Sequence, residues 1–401
     1  MDSIAAGGDG IGRVDGLAVF VPRTAPGELV EAEVRQTGRF GRGRLLRVVD
    51  PSPERVQPRC AHYEGDRCGG CQLQHLSAAA QQEARRRIVH DAFARIARLE
   101  VDVPPVVAGP SDWGYRSRLS LALRRTGRRW VMGLHSFEQP ERVFDLHECP
   151  ITDDRVVAGW VAVRSAAHML PRAAALRGTV RLAGNDIALV IEGGAEWREA
   201  RAFAESVPSM AVIRWQPDSG SARVIVDRRT GGTPEESFDQ VNRAVAGAAR
   251  LEVVSRALAG DPRTAIDAYA GLGATASALA ERGVGVRAVE VDARAARYLA
   301  GRLPEGSSAI AGRVEDVIGD LLPADVVILN PPRAGIDARV ATALVSRPLA
   351  AKILYMSCDP ATLARDVARL GAYRVTSVRA YDMFPQTAHV EVVCELVPEE
   401  S

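Results

Sequence analysis

Apolar and polar positions change rhythm three times along the chain. Over the first 50 residues short apolar runs (Leu17–Val21, Leu29–Val34, Gly43–Val49) alternate with Gly and Pro turns, the pattern of a small all-β module. Its length and turn density predict an OB-like barrel, a shape often used on RNA. After a bridge at Pro51, Pro53 and Pro58, Ser77 predicts an N-cap. Ile88, Ala92, Ile96 and Leu99 then recur at helical spacing, so a helix is expected from Ser77 to about Leu99. Residues 106–235 read as short strands with helical stretches between them: Leu119–Leu123, Trp130–Leu134, Thr179–Leu182, Ile187–Ile191, Val212–Trp215 and Val224–Asp227. From about Glu236 a helical pattern (Phe238–Leu258) precedes apolar strands at Thr264–Asp267, Val286–Val289, Val326–Leu329 and Ile353–Met356, with helices between them. That alternation means a parallel, doubly wound sheet with ligands at its strand C-termini. The expected fold class is α/β, with an all-β barrel at 1–52, a central α+β domain at 53–235 and a doubly wound domain at 236–401.

Composition narrows the classes. The 401 residues, 47% hydrophobic and 25% charged, suit two or three globular domains and exclude disorder, collagen and long coiled coil. A net charge of +1 does not announce a nucleic-acid binder. Two local runs without an intervening acid stand out: Arg35, Arg39, Arg42, Arg44, Arg47, and Arg116, Arg118, Arg124, Arg125, Arg128, Arg129. Arginine's planar fork suits phosphate; solvated strand faces are the competing account. No apolar run approaches the ~20 residues that cross a bilayer, and the N-terminus lacks a signal pattern. A cytoplasmic protein, without membrane contact and monomeric, is expected. Its six cysteines then read as metal, cluster or catalytic positions rather than disulfides.

Chemistry concentrates at the strand ends of the last domain. The strand ending Asp267-Ala268-Tyr269 runs into Gly271-Leu272-Gly273, where glycines allow a sharp turn against a ligand. Glu290 ends the next strand, where a carboxylate can accept both ribose hydroxyls of an adenosine. The loop alone does not separate NAD from S-adenosylmethionine. Asn330-Pro331-Pro332-Arg333 closes a third strand and offers an amide to the crevice. Cys358 precedes Asp359 and Pro360, a natural N-cap and N1, so the helix end is expected to favour its thiolate. Glu391 shares period-two spacing with Val393 and Glu395, which by itself reads as an exposed strand residue.

Together these residues, in order and spacing, resemble the bacterial uracil-C5 RNA methyltransferases that use S-adenosylmethionine. The motifs are Gly271-Leu-Gly273, Asn330-Pro-Pro-Arg333, Ser357-Cys358-Asp359-Pro360 and Asp382-Met-Phe-Pro385…His389-Val-Glu391, with Phe238-x-Gln240-x-Asn242 upstream. The resemblance implies a class I (Rossmann-like) methyltransferase domain and an N-terminal TRAM domain. It implies that Cys358 adds to uracil C6 and that Glu391 removes the C5 proton, overturning the exposed-strand reading. Gln240, Tyr269, Glu290 and Asn330 match cofactor-binding positions, Asn330 standing where the family often carries Asp. The pocket then requires an extruded base.

Cys60-x7-Cys68-Gly69-Gly70-Cys71 and Cys149-Pro150 supply four further thiols. Zinc and a [4Fe–4S] cluster compete for them; by resemblance Cys60, Cys68, Cys71 and Cys149 match cluster ligands. The expected partner is structured RNA, ribosomal ahead of transfer RNA. The contrasting readings are an RNA-binding module or chaperone with a silent methyltransferase fold and, more distantly, a cluster-bearing NAD oxidoreductase.

Overall fold

The computed structural model describes residues 1–127, 129–229, 240–346 and 348–399. Arg128, Phe238 and the expected boundary at 235/236 lie outside the described residues. Three sheets organise the described residues. The first comprises β1 (Ser3–Ile4), β2 (Gly10–Val14), β3 (Leu17–Val21), β4 (Leu29–Thr37) and β5 (Phe40–Asp50), in the order β1-β2-β3-β5-β4. Its long β4–β5 hairpin sets Glu33 beside Arg44 and Glu31 beside Arg47, while Arg42 lies 4.0 Å from Asp9. Three of the five arginines in the first run are therefore paired with carboxylates, which a linear reading of that run does not reveal.

A short helix α1 (Ala61–Glu64) lies among the cysteines, followed by α2 (Ala78–Ala92). Ser77 caps α2 by accepting the Ala80 N–H, and a π turn (Phe93–Ala97) ends it at Arg98, whose φ is +58°. The π turn shifts the apolar register. Val89 and Phe93 point into the core, whereas Ile96 and Leu99, expected inside, are exposed. The sequence groups α2 with the central domain, yet Val89 and Phe93 pack into the core of the third sheet.

The second sheet contains β6 (Arg118–Thr126), β7 (Arg129–His135), β8 (Val143–Asp145), β9 (Ala175–Ala183), β10 (Asp186–Glu192), β11 (Val212–Gln216) and β12 (Arg223–Asp227). Their order is β12-β11-β10-β9-β6-β7-β8. Helices α3 (Asp154–Ser165) and α4 (Ala200–Ser206) bury Trp160 and Phe203 against Leu121, Val180 and Leu189 on one face.

The third sheet follows α5 (Arg243–Leu258), which begins later than expected. Asn242 is its N-cap, accepting the Val245 N–H; Gln240 and Val241 precede the helix, and the Ser117 N–H bonds the Val241 carbonyl. The elements are β13 (Thr264–Ala268), α6 (Ala274–Ala280), β14 (Gly285–Glu290), α7 (Ala293–Ala300), β15 (Ser308–Ala311), α8 (Val314–Leu321) and β16 (Val326–Leu329). Helix α9 (Ala338–Val345), β17 (Lys352–Ser357), α10 (Pro360–Arg369), β18 (Tyr373–Tyr381) and β19 (Glu391–Pro398) complete it. The order β15-β14-β13-β16-β17-β19-β18 is parallel except for β19, which runs antiparallel to both neighbours. The order reverses beside β13 and β16, where open α/β sheets form their ligand crevice. No described helix is long and apolar enough to cross a membrane.

Candidate active site

The crevice begins at the end of β13. Tyr269 (φ +65°), Gly271 (φ +57°) and Gly273 (φ +74°) all occupy the left-handed region, turning the chain sharply into α6. A Cβ on Gly273 would collide with Leu299, while one on Gly271 would meet nothing within 4 Å. The second glycine thus serves close packing, and the first leaves open space for a ligand. The Glu290 carboxylate accepts the Gly271 N–H at 2.7 Å and the Asp292 N–H at 2.8 Å, so both oxygens are oriented by backbone before any ribose arrives. Asp267 is buried, its Oδ2 has no protein partner, and burial pushes its carboxyl up to about 7. The Asn330 N–H reaches the Ala268 carbonyl at 3.4 Å. Tyr269, Glu290 and Asn330 therefore follow three adjacent strands at one sheet edge. An orphaned acceptor, an open glycine and an oriented carboxylate fit a polar nucleoside such as S-adenosylmethionine. Gln240 stands apart: its carbonyl accepts the Ser117 hydroxyl at 3.4 Å, and no described contact joins it to those three.

The candidate nucleophile follows β17. Ser357 pairs with Val392 across the antiparallel ladder, so the next residue on each strand brings Cys358 opposite Glu391. Asp359 caps α10 by accepting the Thr362 N–H at 2.9 Å, with Pro360 in its first turn. The expected depression of the thiol pKa is not found. Burial and the Glu391 carboxylate push the Cys358 thiol above its ordinary value, outweighing the charge of Arg333 and its hydrogen bond. In the sequence Arg333 stands only as part of a strand terminator, because nothing in its spacing announces a thiol partner.

Helix α10 holds Arg333 in place. Thr362 Oγ1 donates to the Arg333 carbonyl at 3.1 Å, and Arg365 donates to the Ala334 carbonyl at 2.7 Å. Asp366, fully buried, accepts the Ile336 N–H at 3.0 Å and the Tyr355 hydroxyl at 2.7 Å. Gly335 lies against it at φ +80°.

Glu391 is 2% exposed, and its Oε2 has no hydrogen-bond partner. Burial alone pushes its carboxyl up to about 7, a value suited to a general base. Period-two spacing misleads here because β19 lies between β17 and β18 and is covered on both faces: Val392, Val393, Cys394 and Leu396 are all buried. His389, by contrast, is exposed, with its ring 5.9 Å from that of Phe384.

The four upstream cysteines share one cavity of about 250 Å³, which also reaches Arg333 and His389. Burial raises the Cys68 thiol to about 11 and the Cys71 thiol to about 12. The Gly70 N–H donates to Cys68 Sγ at 3.4 Å and Thr152 Oγ1 to Cys149 Sγ at 3.1 Å, bonds that would support thiolate charge. Among the described residues no three His, Cys, Asp or Glu side chains stand close enough together to hold one metal ion. The four thiols lining this one cavity are nonetheless the donor set that either a zinc ion or a [4Fe–4S] cluster takes.

Residues 310–397 match the family described as tRNA (Uracil-5-)-methyltransferase. An RNA methyltransferase of Rhizobium meliloti is 32% identical, covering 99% of this chain and 98% of its own. The 23S rRNA (uracil(1939)-C(5))-methyltransferase RlmD of Thiobacillus denitrificans is 31% identical, covering 96% of each chain. In fold, the chain is similar to the Pyrococcus abyssi tRNA (uracil-54, C5)-methyltransferase solved with S-adenosyl-L-homocysteine, at a TM-score of 0.74, 24% identity and 99% coverage of both chains. Similarity to curated relatives from end to end, joined to a family match spanning the strands around Cys358 and Glu391, means that the chain belongs to the S-adenosylmethionine-dependent RNA (uracil-5-)-methyltransferases.

Proposed function

We propose that this enzyme methylates C5 of a uridine in ribosomal RNA through a covalent Cys358–C6 adduct. The opposition of Cys358 and Glu391 across β17 and β19, with Arg333 on the thiol, carries the reading. Arg333 stabilises the Cys358 thiolate as it forms, and the sulfur adds to C6 while an electron pair moves onto the uracil oxygen. S-adenosylmethionine supplies an electrophilic methyl group when bound, and C5 of the enolate takes it as the methyl–sulfonium bond breaks to leave S-adenosylhomocysteine. Glu391 then accepts the C5 proton, the C5–C6 double bond re-forms, and the C6–S bond breaks to return the thiolate. A carboxylate at about 7 is basic enough for that step and still ionised in part near neutrality. Tyr269, Glu290 and Asn330 hold the cofactor at the sheet edge, and Gln240 closes on it from the segment before α5. The 31% identity with RlmD favours ribosomal RNA as substrate.

The RNA follows the face of the second sheet opposite α3 and α4. Strand alternation puts Arg118 and Arg124 of β6 there with Arg177 and Arg181 of β9 and Arg214 of β11, beside the carboxylates of Asp186 and Glu192 on β10 and Asp145 on β8. Burial lowers the Arg118 pKa, and Arg177 and Arg116 lower it further, a crowding of like charge that phosphate relieves. A [4Fe–4S] cluster held by Cys60, Cys68, Cys71 and Cys149 would cross-link the segment after the first sheet to the second. The silent-fold alternative leaves the orphaned Glu391 carboxylate without a purpose.

A 5-fluorouridine transcript tests the reading, since fluorine in place of the C5 hydrogen blocks elimination. Ribosomal transcripts are expected to give a gel-stable protein–RNA adduct with S-adenosylmethionine, and Cys358→Ser none. An unchanged adduct with the serine variant, or adducts with transfer RNA alone, would reject the mechanism or the substrate respectively.

A further inference from the structure

The connection from β18 to β19, residues 382–390, ends at Glu391 and is held mostly by elements outside the third sheet. Arg85 of α2 is fully buried. Its Nη1 pairs with Asp382 Oδ2 at 3.0 Å, its Nε donates to the Thr387 carbonyl at 3.1 Å, and its Nη2 donates to the Phe384 carbonyl at 3.4 Å and to Gln81 Oε1 at 3.3 Å. Gln81 grips the same loop, accepting the Gln386 N–H and donating to its side-chain oxygen, both at 3.0 Å. The Gln386 carbonyl accepts the N–H groups of Gln72 and Leu73, the two residues after Cys71. Tyr115 donates to the Pro385 carbonyl at 2.9 Å. Under this grip Gln386 sits at φ +70°, a conformation that a residue with a side chain keeps only when its surroundings impose it.

An apolar side chain would pack α2 at less desolvation cost than a buried guanidinium. Three of the four hydrogen bonds of Arg85 instead go to the loop that delivers Glu391. Cys358 is fixed from its other side by contacts that do not involve the 382–390 connection, the pairing of β17 with β16 and the cap of α10. We propose that Arg85, through its pair with Asp382, is a positioning residue for proton abstraction: it sets the 382–390 connection so that the Glu391 carboxylate meets C5, and it is dispensable for adduct formation and methyl transfer. The proposal rests on the roles assigned to Cys358 and Glu391 above.

The separation of steps supplies the test. Full-length Arg85→Lys keeps a cation beside Asp382 but loses the planar fork that reaches the Thr387 and Phe384 carbonyls; Asp382→Asn keeps the shape and loses the ion pair. Each is incubated with labelled S-adenosylmethionine and a ribosomal RNA transcript that wild type turns over. Affinity for the cofactor alone should stay within about twofold, while turnover falls about 100-fold, the scale of a misplaced general base. A methyl-labelled protein–RNA adduct should accumulate on denaturing gels, which a general loss of structure would not produce. Normal product release, or adduct and turnover lost in parallel in a variant that melts like wild type, would overturn the proposal. If Arg85→Lys does not fold, Asp382→Asn decides. Glu391→Gln is run alongside: if it accumulates no adduct, the base assignment fails rather than the positioning role.

Discussion

Glu391 makes stability and chemistry pull against each other, and the size of the conflict follows from its burial. The carboxyl has an ordinary value of 4.5 and stands at about 7 in the folded protein, with burial as the cause. In the intervening range the folded state binds more protons at this site than the unfolded chain, so stability must fall as pH rises. At about 1.4 kcal/mol for each pH unit, the full window amounts to about 3 kcal/mol, most of it falling between about pH 5 and pH 8. Glu391→Gln removes the titration and keeps the shape. The variant should therefore gain on wild type by that amount between the two pH values, read from denaturant midpoints at constant slope. Other buried carboxyls such as Asp267 cancel, being present in both proteins. Catalysis should run the other way: wild-type turnover rises with pH through about 7 as the base ionises, and Glu391→Gln loses turnover at every pH. A stability difference that stays constant between the two pH values would refute the desolvated carboxylate and, with it, the poised base.

Gly335→Ala should lower stability by about 2 kcal/mol, because a side chain at φ +80° is strained and its Cβ would strike Asp366; turnover should fall as well, since the same loop carries Arg333, while a melting curve matching wild type would contradict this. Replacing Arg118, Arg124 and Arg177 by Ala should weaken RNA binding and reduce the slope of log affinity against log salt by about 0.7–0.9 for each phosphate no longer neutralised; an unchanged slope would take the RNA off this face. Cys149→Ser should remove the broad absorption near ~400 nm expected of anaerobically prepared protein, whereas Cys394→Ser, in the core of the third sheet, should keep it. Wild type that never shows the band would end the cluster assignment.

The parallel sheet was legible because each strand of its core is an apolar run bounded by turn residues, and its site loops fall where such sheets bind ligands. Cys358 and Asp359 could be placed at a strand–helix junction from local chemistry alone, and the structure keeps that junction. The thiol's environment was not legible, because the groups that set it are distant in sequence. Arg333 arrives on a loop pinned by α10, and Glu391 arrives from the antiparallel strand beside β17. A local rule captured the helix end, and long-range burial outweighed it. Period-two reasoning failed at Glu391 for a related reason: it presumes a strand with one wet face, and β19 has none. A carboxylate inside a strand buried on both sides is costly, and no pattern of neighbours in the sequence marks it. Arg85 shows the same blindness from a helix. Its neighbours Arg86 and Arg87 pair with Glu83 at the surface, and in the sequence the three arginines are indistinguishable. Only the fold sends one of them inward, onto the loop that ends in Glu391. The residues hardest to read from sequence are thus the charged ones that the fold buries, Glu391 and Arg85 among them.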